Sequence, residues 1–298
     1  MKLHYHILDV FTDKPFTGNG LAVVLGADNL TDEQMQSIAR EFNLSETIFC
    51  QRPDDATHTA KVRIFMPQGE LPFAGHPTIG TAVLLATLKY KTGCSFETDI
   101  LLEERAGLVP VRVSRIGGVP RAILTAPKLP KKASKAPAPS RIAHAVGLEE
   151  NEIGFTCHVP AVIDAGSPIL FVPVAGLNAL ARAKVIEPHW SAVLGEASTF
   201  AAYMYTAHGS SSFRARLYAP AEGIAEDPAT GMAAAALPGQ IHLCEKLGDG
   251  QHRWNIAQGV EMGRPSSLTA EAEIRNGLIE VVRVGGQAIG IGQGILEF

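Results

Sequence analysis

The chain begins an apolar helix twice in the same manner, and that doubling limits what it can fold into. The first instance is Glu70-Leu-Pro-Phe-Ala-Gly-His-Pro-Thr-Ile-Gly-Thr-Ala-Val-Leu84. Pro77 suits a first helical turn, where its missing N–H would have no partner. Gly75 lets backbone N–H groups come close to a ligand, and Ile79, Val83 and Ala86 recur at helical spacing. The second instance is Ala225-Glu-Asp-Pro-Ala-Thr-Gly-Met-Ala-Ala-Ala-Ala-Leu237, again Pro followed closely by Thr and Gly. About 150 residues separate the two, roughly one domain's worth. A helix N-terminus with uncovered N–H groups holds carboxylates and phosphates. Two half-molecules that each aim one such terminus at a shared cleft would clamp a small acid from both sides. The plain alternative is two capped core helices without a ligand.

With 298 residues, 46% of them hydrophobic, the chain can bury ample core in two domains. A net charge of −4, 19% charged residues and no basic stripe interleaved with aromatics argue against nucleic acid as a partner. The longest apolar runs, near 79–88 and 228–237, are too short to span a bilayer. The first ten residues alternate like a strand and lack the apolar stretch of a signal peptide. Cys50, Cys94, Cys157 and Cys244 show no zinc or redox spacing, which predicts a reduced, cytoplasmic protein.

Alternation predicts strands over 3–11, 21–25, 46–51, 59–66, 96–103, 108–114 and 119–125. Thr31 caps a helix to about Phe42, with Gln34 at capping-box spacing, and the helix that starts at the first motif runs to about Lys91. Residues 127–140, rich in Pro, Lys and Ala, read as an extended, solvated connection between domains. Beyond it come helices over 141–147, 177–183 and 189–195, and strands over 161–165, 169–174, 201–206, 212–218, 268–275 and 278–284. A final glycine-punctuated strand, 287–298, could return to the first sheet. The expected fold class is α+β: two pseudo-symmetric domains, 1–126 plus 287–298 and 127–286. Each is a curved, mostly antiparallel sheet wrapped around a central helix. Gly290, Gly292 and Gly294 superficially suggest a nucleotide loop, but no strand–turn–helix context follows them.

Glu46 lies where a loop meets an apolar strand, flanked by Leu44, Ile48 and Phe49. Such surroundings can raise a carboxyl toward the range useful for proton transfer; the alternative is an edge-strand Glu facing water. The ten histidines show no metal-ligand spacing, so no metal is expected.

Taken together, Asp9-Val10-Phe11-Thr12, Phe16-Thr17-Gly18-Asn19, Asn43-Leu44-Ser45-Glu46-Thr47, Phe73-Ala74-Gly75-His76-Pro77-Thr78 and Glu226-Asp227-Pro228-Ala229-Thr230-Gly231 resemble the phenazine-biosynthesis PhzF family, whose fold is diaminopimelate epimerase-like. The resemblance covers essentially the whole chain. It implies that Glu46 shuttles a proton while His76 and Asp227 hold and orient the substrate. Ser45, Gly75, Thr230, Gly231 and Asn19 would make the anchoring contacts. The implied reaction is a cofactor-independent isomerisation of a small cyclic carboxylic acid, of the trans-2,3-dihydro-3-hydroxyanthranilate type. A homodimer is the expected assembly, with neither nucleic acid nor membrane as a partner.

Three positions depart from the family pattern. Gly20 stands where the family usually has Pro, so that loop should be looser. Met232 replaces a common Ser, and Pro238 should end or kink the second helix early. An amino-acid epimerase or racemase of the same fold would use two cysteines, one at each helix start. Here those places read Ala74-Gly75-His76 and Asp227-Pro228. A non-catalytic binding or scaffold protein that retains the fold is the remaining alternative.

Overall fold

A computed structural model describes residues 1–91 and 93–298, which divide into two units, 1–125 with 285–298 and 126–284. The first unit contains β1 (Lys2–Val10), β2 (Asn19–Leu25), α1 (Asp32–Phe42), β3 (Glu46–Gln51), β4 (Ala60–Met66), β5 (Gly69–Leu71), α2 (Gly75–Lys89), β6 (Phe96–Glu104), β7 (Gly107–Arg115) and β8 (Arg121–Thr125). The second contains β9 (Lys131–Lys132), α3 (Pro139–Val146), β10 (Ala161–Asp164), β11 (Pro168–Pro173), α4 (Leu177–Arg182), α5 (His189–Ala197), β12 (Ala202–Ala207), β13 (Ser212–Ala219), β14 (Ile224–Asp227), α6 (Gly231–Glu245), β15 (Gly250–Gln258) and β16 (Ser266–Arg275). The last strand, β17 (Leu278–Glu297), begins in the second unit and finishes in the first.

In the first unit β1 lies antiparallel between β17 and β2. The order then continues through β3, β4, β6, β7 and β8, and β8 meets β17, so the sheet closes on itself. Helix α2 runs inside, against β1, β2, β3, β6, β7 and β8. That position explains its composition: eleven of its fifteen residues are buried, on every side of the helix, as a helix enclosed by a sheet requires. Gly80 lets it approach closely. A Cβ there would stand 2.6 Å from Leu21 Cδ2 and 2.7 Å from Val10 Cγ2. Helix α1 is amphipathic instead; Met35 and Ala39 pack with Val24, Phe49 and Phe65 on the outer face of the same sheet. Its predicted capping box forms, with Thr31 and Gln34 bonded reciprocally.

The second unit repeats the theme. Strands β9, β10, β11, β12, β13, β15 and β16 form a continuous sheet, and α6 packs against β9, β10, β11 and β16. Outside, α3, α4 and α5 bury Ile142, Leu180, Trp190 and Val193 against the sheet.

The structure corrects four expectations. Residues 127–140 are not wholly an extended, solvated connection, because Lys131 and Lys132 pair with Asp164 and Ile163. Gly20 does not loosen a loop: it lies inside β2, opposite Asp9. Pro238 does not end α6, which continues to Glu245. A proline removes one intrahelical bond at a cost of about 3 kcal/mol, and the fully buried Leu237 and Ile241 hold the chain on both sides of it. The two final strands are one, β17, and β15 was not anticipated at all. Only Trp254 and Ile256 alternate as large apolar residues in β15; its pairing with β13 and β16 supplies the rest.

Candidate active site

Glu46 opens β3 and His76 occupies the first turn of α2. The closed sheet and the helix inside it bring the two side chains together, with His76 Nδ1 3.1 Å from Glu46 Oε2. Both are largely shielded, with side-chain exposures of 5% and 12% respectively. Burial pushes the imidazole down to about 3, against a smaller opposing effect of a backbone hydrogen bond with Gly20. His76 is therefore neutral near pH 7, and its contact with Glu46 is a polar contact without a full ion pair.

Helix α2 starts with Ala74 in the N-cap position, has no side-chain cap, and carries no acidic residue in its first turn. The N-cap residue therefore supplies no acceptor to the opening amides, and the carboxylate beside that turn is Glu46, from β3. Below that turn lies a group the sequence did not flag. Thr78 Oγ1 stands 2.6 Å from both Ala74 O and Glu104 Oε1. A hydroxyl carries one proton and a carbonyl none. Both contacts are satisfied only if Thr78 donates to Ala74 and a protonated Glu104 donates to Thr78. Burial pushes the Glu104 carboxyl up to about 8, in the same direction.

Asn19 begins β2, buried and paired with Val10. Gly18 before it has φ +70°, and a Cβ there would lie 2.4 Å from Val10 O, so this position takes only glycine. Asp9 accepts from the Phe16 amide at 2.6 Å, which ties down the same loop. Ser45, half-buried, links the left-handed Asn43 at the end of α1 to Glu46.

In the second unit Asp227 ends β14, 7% exposed, and Thr230 is the N-cap residue of α6 with Gly231 next. Thr230 does not cap the helix with its side chain. Its hydroxyl donates to Asp227 Oδ2 instead. Glu226, just before, is held by a two-bonded Arg216, with Nε–Oε1 and Nη2–Oε2 both 2.9 Å. Gln258 contacts both Asp227 and Thr230, and sequence reasoning missed it. The available signal was the alternation Trp254, Ile256, Gln258, which puts the amide on the buried face of its strand.

The four cysteines are free, and none stands at the start of α2 or α6. Among the described residues no group of three or more His, Cys, Asp or Glu could hold a metal ion, and no helix is long and apolar enough to cross a membrane.

Comparison with known proteins agrees with this architecture. An uncharacterized isomerase of Mesorhizobium japonicum is 41% identical over 98% of both chains. A trans-2,3-dihydro-3-hydroxyanthranilate isomerase of Pseudomonas aeruginosa is 36% identical over 97% of this chain and 98% of its own. The crystal structure of a Bacillus anthracis PhzF-family protein covers the whole of both chains with a TM-score of 0.88, at 23% identity. A hydroxyproline epimerase from Agrobacterium vitis shares the fold more distantly, with a TM-score of 0.64 at 14% identity over 99% of this chain and 92% of its own. The fold is thus the α+β, diaminopimelate epimerase-like one. A model of the phenazine biosynthesis-like proteins matches residues 8–294, and the chain belongs to this PhzC–PhzF family.

Proposed function

We propose that the protein is a cofactor-independent isomerase that moves a carbon-bound proton on a small cyclic carboxylic acid. Trans-2,3-dihydro-3-hydroxyanthranilate is the reference substrate, after the named relative of P. aeruginosa. The observation that carries the reading is the Glu46–His76 contact at the uncapped start of α2. A carboxylate there can take a proton from carbon and return it elsewhere on the ring, and it begins and ends the cycle in the same ionisation state. Neutral His76 orients that carboxylate and the substrate without adding charge.

A carbon acid is weak, so the developing negative charge needs stabilisation. The fixed amide dipoles at the start of α2, beside Glu46, supply it. Asp227 holds the substrate's polar groups; Ser45, Gly75, Asn19, Thr230 and Gly231 line its anchoring positions. Positioned acid–base catalysis contributes roughly 10²–10⁴-fold, and the electrostatic contribution is of similar size.

The test is incubation with trans-2,3-dihydro-3-hydroxyanthranilate in deuterated buffer. Enzyme-dependent deuterium at carbon, with an isomer of shifted absorbance, is expected. Glu46→Gln keeps size but removes the base, so exchange should fall by roughly 10²-fold or more while binding persists. Wild-type exchange in that variant would remove Glu46 from the role of base.

A further inference from the structure

The turn Asp227–Thr230 rests on a buried amide that the reaction itself does not call for. Gln258 is wholly buried at the end of β15. Its Nε2 donates to Asp227 O at 2.8 Å and to Thr230 Oγ1 at 3.0 Å, while its Oε1 accepts from the Thr230 amide at 3.3 Å. Only one orientation of the amide works. Reversed, its oxygen would face a carbonyl and its NH₂ would face an N–H.

The next bond continues the chain: Thr230 Oγ1 accepts a hydrogen bond from Gln258 and donates its own proton to Asp227 Oδ2. The price is the ordinary N-cap bond, which α6 lacks although Thr is a good capping residue. Gly259 adds an independent constraint. A Cβ there would lie 2.6 Å from Pro228 O and 2.5 Å from Arg264 O, and its φ is +72°. The end of β15 is therefore pressed against the backbone that carries Asp227.

We propose that Gln258 is a positioning residue for the reaction: through Thr230 it fixes the Asp227 carboxyl as a hydrogen-bond acceptor, in one rotamer, before substrate arrives. The proposal rests on the role given to Asp227 above. Two neighbouring groups of this unit bear on Asp227. Arg216 is occupied by Glu226. Tyr203 lies two strands away, in register through Leu217, and its phenol is raised chiefly by burial and further by the charge of Asp227. A carboxylate loses favour for its charged form when a donated hydrogen bond is removed.

The experiment separates this proposal from the reading it rests on. Carboxyl-labelled protein is titrated by carbon NMR, with the Asp227 resonance identified by its loss in Asp227→Asn. Asp227 is expected to titrate at a higher pH in Thr230→Val and in Gln258→Leu than in wild type. Thr230→Ser, which keeps the donor, should return it to the wild-type position. In the isomerisation assay the first two variants should lose about 10- to 100-fold in kcat/KM, chiefly in kcat, and Thr230→Ser should retain most of it. If Gln258→Leu fails to fold, Gln258→Met, which keeps the length of the side chain and removes the amide, takes its place. An Asp227 titration unmoved by Thr230→Val, or by a folded Gln258→Leu, overturns the proposal, whatever the activity. A wild-type protein without isomerase turnover, but with the expected titration shifts, overturns only the functional reading.

Discussion

His76 Nδ1 stands 3.1 Å from Glu46 Oε2, although one side chain starts a helix and the other starts a strand. Because burial holds the imidazole neutral, the contact lacks the large charge separation that a buried ion pair would carry.

That neutrality has a thermodynamic signature. The ordinary imidazole value is 6.5, and burial brings His76 to about 3. As the pH falls through that window the unfolded chain takes up a proton that the native protein refuses, so native stability falls toward acid. The slope is at most about 1.4 kcal/mol per pH unit. Urea denaturation measured across the window should show a shallower slope in His76→Gln. Equal slopes would mean that His76 is not held neutral.

Glu104 predicts the opposite sign. Its ordinary value is 4.5 and its buried value about 8, so here the native state keeps a proton that the unfolded chain has lost. Stability should fall as the pH rises through that window, again by no more than about 1.4 kcal/mol per unit. Glu104→Gln retains a donor for Thr78 and carries no ionisable group. It should gain stability relative to wild type as the pH approaches 8. A protonated-carboxyl infrared band near pH 7, absent from the variant, would confirm the protonation state directly.

Gly80 sets how closely α2 approaches the sheet. A methyl group there meets Leu21 and Val10, both fully buried. Gly80→Ala should destabilise the protein by about 1–3 kcal/mol in denaturant titrations. Unchanged stability would show that the helix has room to spare.

Thiol chemistry should be dispensable. Cys50 is buried and its thiol is pushed up to about 12 by burial, so it resists alkylation in the folded protein. Cys94 and Cys157 are exposed. Complete iodoacetamide modification of those two should leave isomerase turnover intact, and stoichiometric loss of activity would revive a thiol mechanism.

The sequence alone determined the local features. Hydrophobic alternation located most strands, the Thr31–Gln34 capping box placed α1, and the paired Pro-Thr-Gly contexts marked the starts of α2 and α6. These depend on neighbours within a few residues, which is why they can be read one segment at a time. The apolar flanks of Glu46 left open whether its carboxyl is shielded or faces water. Tertiary structure alone decided the contact between Glu46 and His76, the burial of Glu104 beside Thr78, the survival of α6 through Pro238 and the clamp of Gln258 on Thr230 and Asp227. Each depends on which distant residues exclude water or complete a hydrogen bond. That information resides in the packing of β3 against α2, of β6 against the first turn of α2, and of β15 against the end of β14, and no local periodicity encodes it.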